Sequence, residues 1–314
     1  MSVPVRRKPV AYCRGVVSRC RGLARCRCSE VGTGLSEPES GGCAVIGRMM
    51  ELATQYPRYG YRRIRIFLGR DGHRLSPSRM YRLWREAKLQ LPRRRPRKRV
   101  SGARPRPAAP TGPNQVWSYD FVFDACANGQ QLKCLTETDE FTKEGLAIDV
   151  NRRSRSPRVI DFLAKPVSER GAPRFLRSDN GPEFVSRALL AWIVGEGIGT
   201  ALIDPGKPWQ SGFSESFNGK FRNVCLSLEW FRSRTEAKIL IEAWRRHFNE
   251  VRPHLSLGYL TPNEFVAKFR SEAAVTRQAT GRYAAVFGAS APRPVAQPPH
   301  EGHAQPEARA LVSS

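Results

Sequence analysis

Two acids standing 36 positions apart, Asp179 and Glu215, each lie in a local pattern that fixes them at the end of an element. Arg174-Phe175-Leu176-Arg177 reads as a short strand. The Asn180-Gly181-Pro182 turn behind it leaves Asp179 at the carboxyl end of that strand, where open α/β sheets place their ligands. From Phe213 onward, Phe213, Phe217, Phe221 and Val224 recur at helical spacing. That predicts a helix burying the stripe, with Glu215, Asn218 and Arg222 turned to another face. One acid ends a strand and the other rides the first turn of a helix.

A third acid comes from upstream. In Val116 to Asp124 the residues Trp117, Tyr119, Phe121 and Phe123 share one face of a strand, while Asp120 and Asp124 share the other with Ser118 and Val122. Three carboxylates brought together repel one another unless cations bind between them. Oxygen donors with no neighbouring His or Cys favour magnesium or manganese over zinc. Asp124, Asp139, Asp149 and Glu183 compete for the same role.

The chain has 53 Lys+Arg against 28 Asp+Glu in 314 residues, a formal charge of +25. Such an excess points to a polyanionic partner, most simply nucleic acid. No apolar run reaches the length of a membrane span, so an integral membrane protein is not expected. Of eight cysteines, Cys13, Cys20, Cys26, Cys28 and Cys43 lie near the start, in no zinc-type spacing and with no His among them. They are expected to be free thiols in a reducing cytoplasm.

Taken in order, residues 1–44 lack periodicity and read as a disordered or atypical segment. Residues 45–91 read as three helices. Met49, Met50, Leu52 and Ala53 suit the first, and Ile64, Phe67 and Leu68 the second. Met80, Leu83, Trp84 and Ala87 stripe the third, which opens on Ser76 as cap and Pro77 at its first position. Arg79, Arg82 and Arg85 fall outside that stripe. A helix-turn-helix lying in the major groove and a basic, solvated face on a small bundle both fit the pattern. Residues 92–115 form an Arg- and Pro-rich linker able to follow phosphates without choosing a sequence. From 116 to 270 the pattern is three strands, then alternating helices and strands. Residues 271–314 read as a disordered tail, and His254 as a hydrogen-bonded structural residue.

Several of these motifs, in this order, resemble the second-frame (OrfB) transposases of bacterial insertion sequences, whose catalytic core is similar to that of retroviral integrases. The residues carrying the resemblance are Trp117 to Phe123, Asp139 to Thr142, Ser178 to Phe184, Gly206 to Gly219, and Arg252-Pro253-His254 through Pro262; Tyr56 to Arg63 resemble the start of the family's small DNA-binding domain. The resemblance implies an RNase H-like mixed sheet flanked by helices, preceded by a small helix-turn-helix domain. It also implies a catalytic triad of Asp120, Asp179 and Glu215 holding two Mg2+ (or Mn2+) ions. The activity implied is metal-dependent cleavage and strand transfer of element ends, with double-stranded DNA as partner, a homo-oligomer on DNA, and an upstream-frame protein or fusion. The place of action implied is the bacterial cytoplasm, at the nucleoid. Lys207, Gln210, Asn218 and Arg222 join Arg79, Arg82 and Arg85 as expected DNA contacts. A catalytically inactive DNA-binding remnant or regulator of transposition stands as the alternative.

Overall fold

A computed structural model describes residues 40–92, 109–179, 181, 184, 186–201 and 212–286. The expected disordered start, most of the basic linker, Lys207, Gln210, Glu183 and the end of the tail lie outside these residues. The described residues up to Ala267 form one compact unit, and those from Lys268 belong to a second.

The first three helices are α1 (Ser40–Gln55), α2 (Tyr61–Arg70) and α3 (Pro77–Glu86). The Ser76 side chain accepts the amide of Arg79 and Pro77 takes the first helical position, so α3 starts where the cap residues require. Met49, Leu52, Ile64, Phe67, Leu68, Met80 and Trp84 close a small core. Arg79, Arg82 and Arg85 are exposed, on the face that this core leaves free.

The rest of the unit is built on a five-stranded sheet. Its strands are β1 (Val116–Ala125), β2 (Gln131–Asp139), β3 (Gly145–Asn151), β4 (Phe175–Arg177) and β5 (Gly199–Thr200). Their order is β3-β2-β1-β4-β5, with β1 antiparallel to β2, β2 antiparallel to β3, and β4 parallel to both β1 and β5. The β1–β2 hairpin turns at Gly129, whose φ of 78° is a conformation glycine adopts without strain. At β5, Gly199 is required for closeness: a Cβ there would stand 2.6 Å from the Phe175 ring.

Helices cover both faces. On one, α4 (Ser156–Arg170) and α5 (Arg187–Gly195) pack Val159, Leu163, Leu189 and Ile193 on Trp117, Tyr119, Leu135 and Leu176. On the other, α6 (Gly212–Phe221) and α7 (Arg234–Glu250) pack Phe217, Phe221, Ile241, Trp244 and Phe248 on Val122, Leu132, Cys134 and Val150. The period-2 split of β1 thus feeds two separate cores. Phe123 departs from it: the strand outruns the covering helix there, leaving the ring 60% exposed with the Lys133 ammonium 5.5 Å from its centroid.

A last helix, α8 (Pro262–Val286), runs through residues 271–286, where a disordered tail was expected. Its Glu, Ala, Arg and Gln residues favour helix even though they give no apolar stripe. Among the described residues no helix is long and apolar enough to cross a membrane.

Candidate active site

Asp120 lies in the middle of the sheet, on the β1 face that α6 covers. Its Oδ1 accepts the Phe121 amide at 2.7 Å, and its Oδ2 accepts the Asn218 side-chain amide at 2.7 Å. Asn218 in turn accepts the Thr136 hydroxyl from β2 at 3.0 Å. Strands β1 and β2 and helix α6 are therefore tied at one carboxylate. Asn218 is buried, 6% exposed, so it positions Asp120 and is not the surface DNA contact expected of it. The aromatic spacing of α6 marks only part of its buried face. The polar position between Phe217 and Phe221 turns inward because it meets polar groups on both strands.

Asp179 follows β4 by two residues. Ser118 pairs with Arg177 at the end of the parallel β1–β4 register, two residues short of Asp120 on one strand and of Asp179 on the other. The Asp179 side chain accepts the Gly181 amide at 3.1 Å, which keeps it at the strand end. Burial raises the Asp120 carboxyl above its usual range, and the charge of Asp179 raises it further; the Phe121 and Asn218 hydrogen bonds and Arg222 act in the opposite direction. Just upstream, Arg177 holds the buried Glu140 carboxylate through bonds of 2.8 and 2.9 Å. That ion pair fixes the approach of β4 to β1.

Glu215 is exposed on the first turn of α6, three residues before Asn218. Side chains at that separation are neighbours on a helix surface, so the Asn218–Asp120 bond brings the Glu215 turn to the Asp120 end of the sheet. Arg222 is exposed one turn beyond Asn218, at the start of a π-helical turn, Arg222–Leu226. Among the described residues, no three His, Cys, Asp or Glu side chains stand close enough together to hold a metal ion. What is present is a pair of interacting carboxylates, Asp120 and Asp179, with Glu215 exposed on the first turn of α6. An all-oxygen donor set of mutually repelling acids suits a hard divalent cation.

The competing acids have other work. Asp139 accepts the amides of Asn114, Phe141 and Thr142, and Asp149 pairs with Arg158 at 2.9 Å. Asp124 accepts the Ala125 amide. His254 is buried against the Phe248 carbonyl at 3.4 Å, as a structural histidine should be. Thr136 was not singled out from sequence; a Thr on a strand reads as a β-former, and only the register opposite Asp120 reveals its role.

Comparison with known proteins agrees with this architecture. The HTH-like domain family matches residues 44–97, and the integrase core domain family matches residues 110–208 and 196–262. The 31.7 kDa protein of insertion element IS407 from Burkholderia multivorans is 44% identical over 238 residues, covering 76% of this chain and 86% of that protein. This chain belongs to the second-frame transposase family of bacterial insertion sequences. The 39.2 kDa protein of IS476 from Xanthomonas euvesicatoria is also 44% identical, covering 74% of this chain and 67% of that protein. The transposase InsD of IS2 from Escherichia coli is 28% identical, covering 71% and 78%. Among solved structures, the HTLV-2 integrase catalytic core domain in complex with magnesium is similar at 18% identity and a TM-score of 0.37, covering 49% of this chain and 96% of that one. The integrase core match falls on the mixed sheet and the HTH-like match on the helices ahead of it, and a transposase or integrase role follows from membership.

Proposed function

We propose that this chain cleaves and joins the DNA ends of an insertion element, with Asp120, Asp179 and Glu215 as the acids holding two Mg2+ or Mn2+ ions. Such a pair, when bound, makes the phosphodiester more electrophilic and the attacking hydroxyl more acidic. The observation that carries the reading is the Thr136–Asn218–Asp120 chain of hydrogen bonds, which ties the helix bearing Glu215 to the strand bearing Asp120. Asn218 keeps Asp120 in one rotamer. Arg222, exposed beyond it, and Lys207 and Gln210, earlier in the sequence, are offered as DNA contacts. Arg79, Arg82 and Arg85 on α3 bind duplex DNA, and the protein works in the bacterial cytoplasm as a homo-oligomer on DNA, alone or with an upstream-frame segment.

A second reading, a DNA-binding remnant without chemistry, draws support from the open arrangement of the three acids among the described residues. One experiment separates the two. Asp120→Asn and Glu215→Gln are each expected to bind element-end DNA like the parent and to lose Mg2+-dependent cleavage and joining. A parent protein inactive with Mg2+ and Mn2+ favours the remnant, and a variant that joins ends at the parent's rate removes that residue from the site.

A further inference from the structure

Where the small helical domain meets the core, basic groups converge, and two of them, Lys220 and Arg252, have no matching acid among the described residues. Arg252 is 4% exposed, its guanidinium 5.1 Å from the ring centre of Tyr59 and 5.8 Å from that of Phe248. Nη1 donates to Tyr59 Oη at 3.5 Å, while the buried Nε has no acceptor among the described residues. Arg63, from α2, lies over the same Tyr59 ring at 5.5 Å and donates to the Pro253 carbonyl. Lys220, on α6, donates to Ser216 Oγ at 3.0 Å. Lys143, in the β2–β3 loop, lies 4.3 Å from the Phe213 ring centre.

These groups feel one another. Burial first, then Arg252, Arg63 and Lys143, brings Lys220 down to about 8. Burial, then Arg252 and Lys220, takes His254 down to about 3, and burial with Arg252 lowers His247. No acid acts on Lys220 or Arg252 among these influences; Glu140 and Asp139 act on Lys143 alone, and Glu140 is already held by Arg177. Buried charges are ordinarily matched by an opposite charge. For Lys220 and Arg252 the described residues supply none, and the half-buried Arg63, Lys143 and Lys220 leave side chains open to an outside anion.

We propose that Arg63, Lys143, Lys220 and Arg252 form a phosphate site at this seam, and that it takes a backbone phosphodiester of duplex DNA. The proposal rests on the DNA-processing reading above and adds a second anchor to it. Lys220 is five residues beyond Glu215 on the same helix, so a phosphate held there fixes the duplex relative to the acids without reading its sequence.

The test uses the full chain, a fluorescent duplex of arbitrary sequence, and buffers without divalent metal. Removing one phosphate-neutralising side chain lowers the slope of log affinity against log salt by about 0.9. Lys220→Gln is expected to flatten the slope by about that amount, Arg63→Gln with Lys220→Gln by about twice as much, and Lys220→Arg to keep the parent slope. Lys165→Gln, exposed on α4, serves as the control and should leave the slope unchanged. Parent slopes in Lys220→Gln and the double variant overturn the proposal, as does an equal flattening in Lys165→Gln. If inorganic phosphate at fixed ionic strength raises the parent's melting temperature while those slopes stay at the parent value, the site takes free phosphate and the DNA assignment is wrong. Because the readout is metal-free binding, it stands or falls apart from the cleavage tested with Asp120→Asn.

Discussion

Replacing Asn218 by Ala removes two buried hydrogen bonds at once, one to the Asp120 carboxylate at 2.7 Å and one from Thr136 at 3.0 Å. A bond to a charged group contributes about 1.5–3 kcal/mol and a neutral one about 0.5–1.5, so Asn218→Ala should destabilise the fold by about 2–4 kcal/mol. The same change removes a donor that favours the ionised carboxylate, so Asp120 should titrate higher than in the parent. Asn218→Asp, of nearly the same shape, is the sharper perturbation, because it sets a second carboxylate against Asp120. It should be less stable than Asn218→Ala at pH 7.5 and recover towards it at pH 5, where the pair shares a proton. Urea unfolding followed by circular dichroism at both pH values measures each variant. A destabilisation under about 0.5 kcal/mol for Asn218→Ala, or an Asn218→Asp stability that does not recover towards that of Asn218→Ala on acidification, would refute the claim that this amide bridges strand and helix.

His254 gives a pH signature. Its folded value of about 3 lies below the ordinary 6.5, so below pH 6.5 the unfolded chain takes up a proton that the native one does not, and stability falls with pH down to about 3. The slope approaches about 1.4 kcal/mol per pH unit, and the difference between parent and His254→Gln isolates it from Glu137, whose buried carboxyl is raised and acts in the opposite sense. Parallel profiles for the two proteins between pH 6.5 and 4 would show that His254 contributes nothing. On α3, alanine at Arg79, Arg82 or Arg85 should weaken duplex binding, by about 1–3 kcal/mol with relaxed specificity where the side chain reads a base. Competition between element-end and unrelated duplexes measures both, and a triple variant that binds both like the parent removes α3 from the DNA interface.

The parts of this fold that local periodicity dictates were legible in the sequence. The alternation of Trp117, Tyr119 and Phe121 against Asp120 and Val122 predicts a strand with two distinct faces, and the structure packs each face on its own core. Ile64, Phe67 and Leu68, then Met80 and Trp84, give the helical stripes, and Ser76-Pro77 gives the start of α3. Roles set by contacts between distant segments could not be read this way. Asn218 looked like a surface residue because a single polar position beside an aromatic stripe carries no sign of what faces it. Arg252 stood out only as part of a family-like motif, since neither Tyr59 nor Arg63 is near it in sequence. The extension of α8 past residue 271 was hidden for another reason: helix propensity without amphipathicity resembles the composition of a disordered chain.

The same distinction bears on the acids. Asp120 and Asp179 each follow a paired position by two residues, because β1 and β4 run parallel as far as Ser118 and Arg177. Glu215 has no such constraint. Its distance from the pair depends on how α6 sits on the sheet, and that docking is fixed by Phe217 and Phe221 in the core together with one polar bond spanning 98 positions of sequence. Apolar packing alone tolerates sliding of a helix by small amounts, whereas the Asn218 bond is directional and fails within a fraction of an ångström. An apolar residue of similar size at 218 would therefore be expected to keep the helix and lose the placement of Glu215. The hydrogen bond, more than the aromatic stripe, is what sets where α6 carries Glu215.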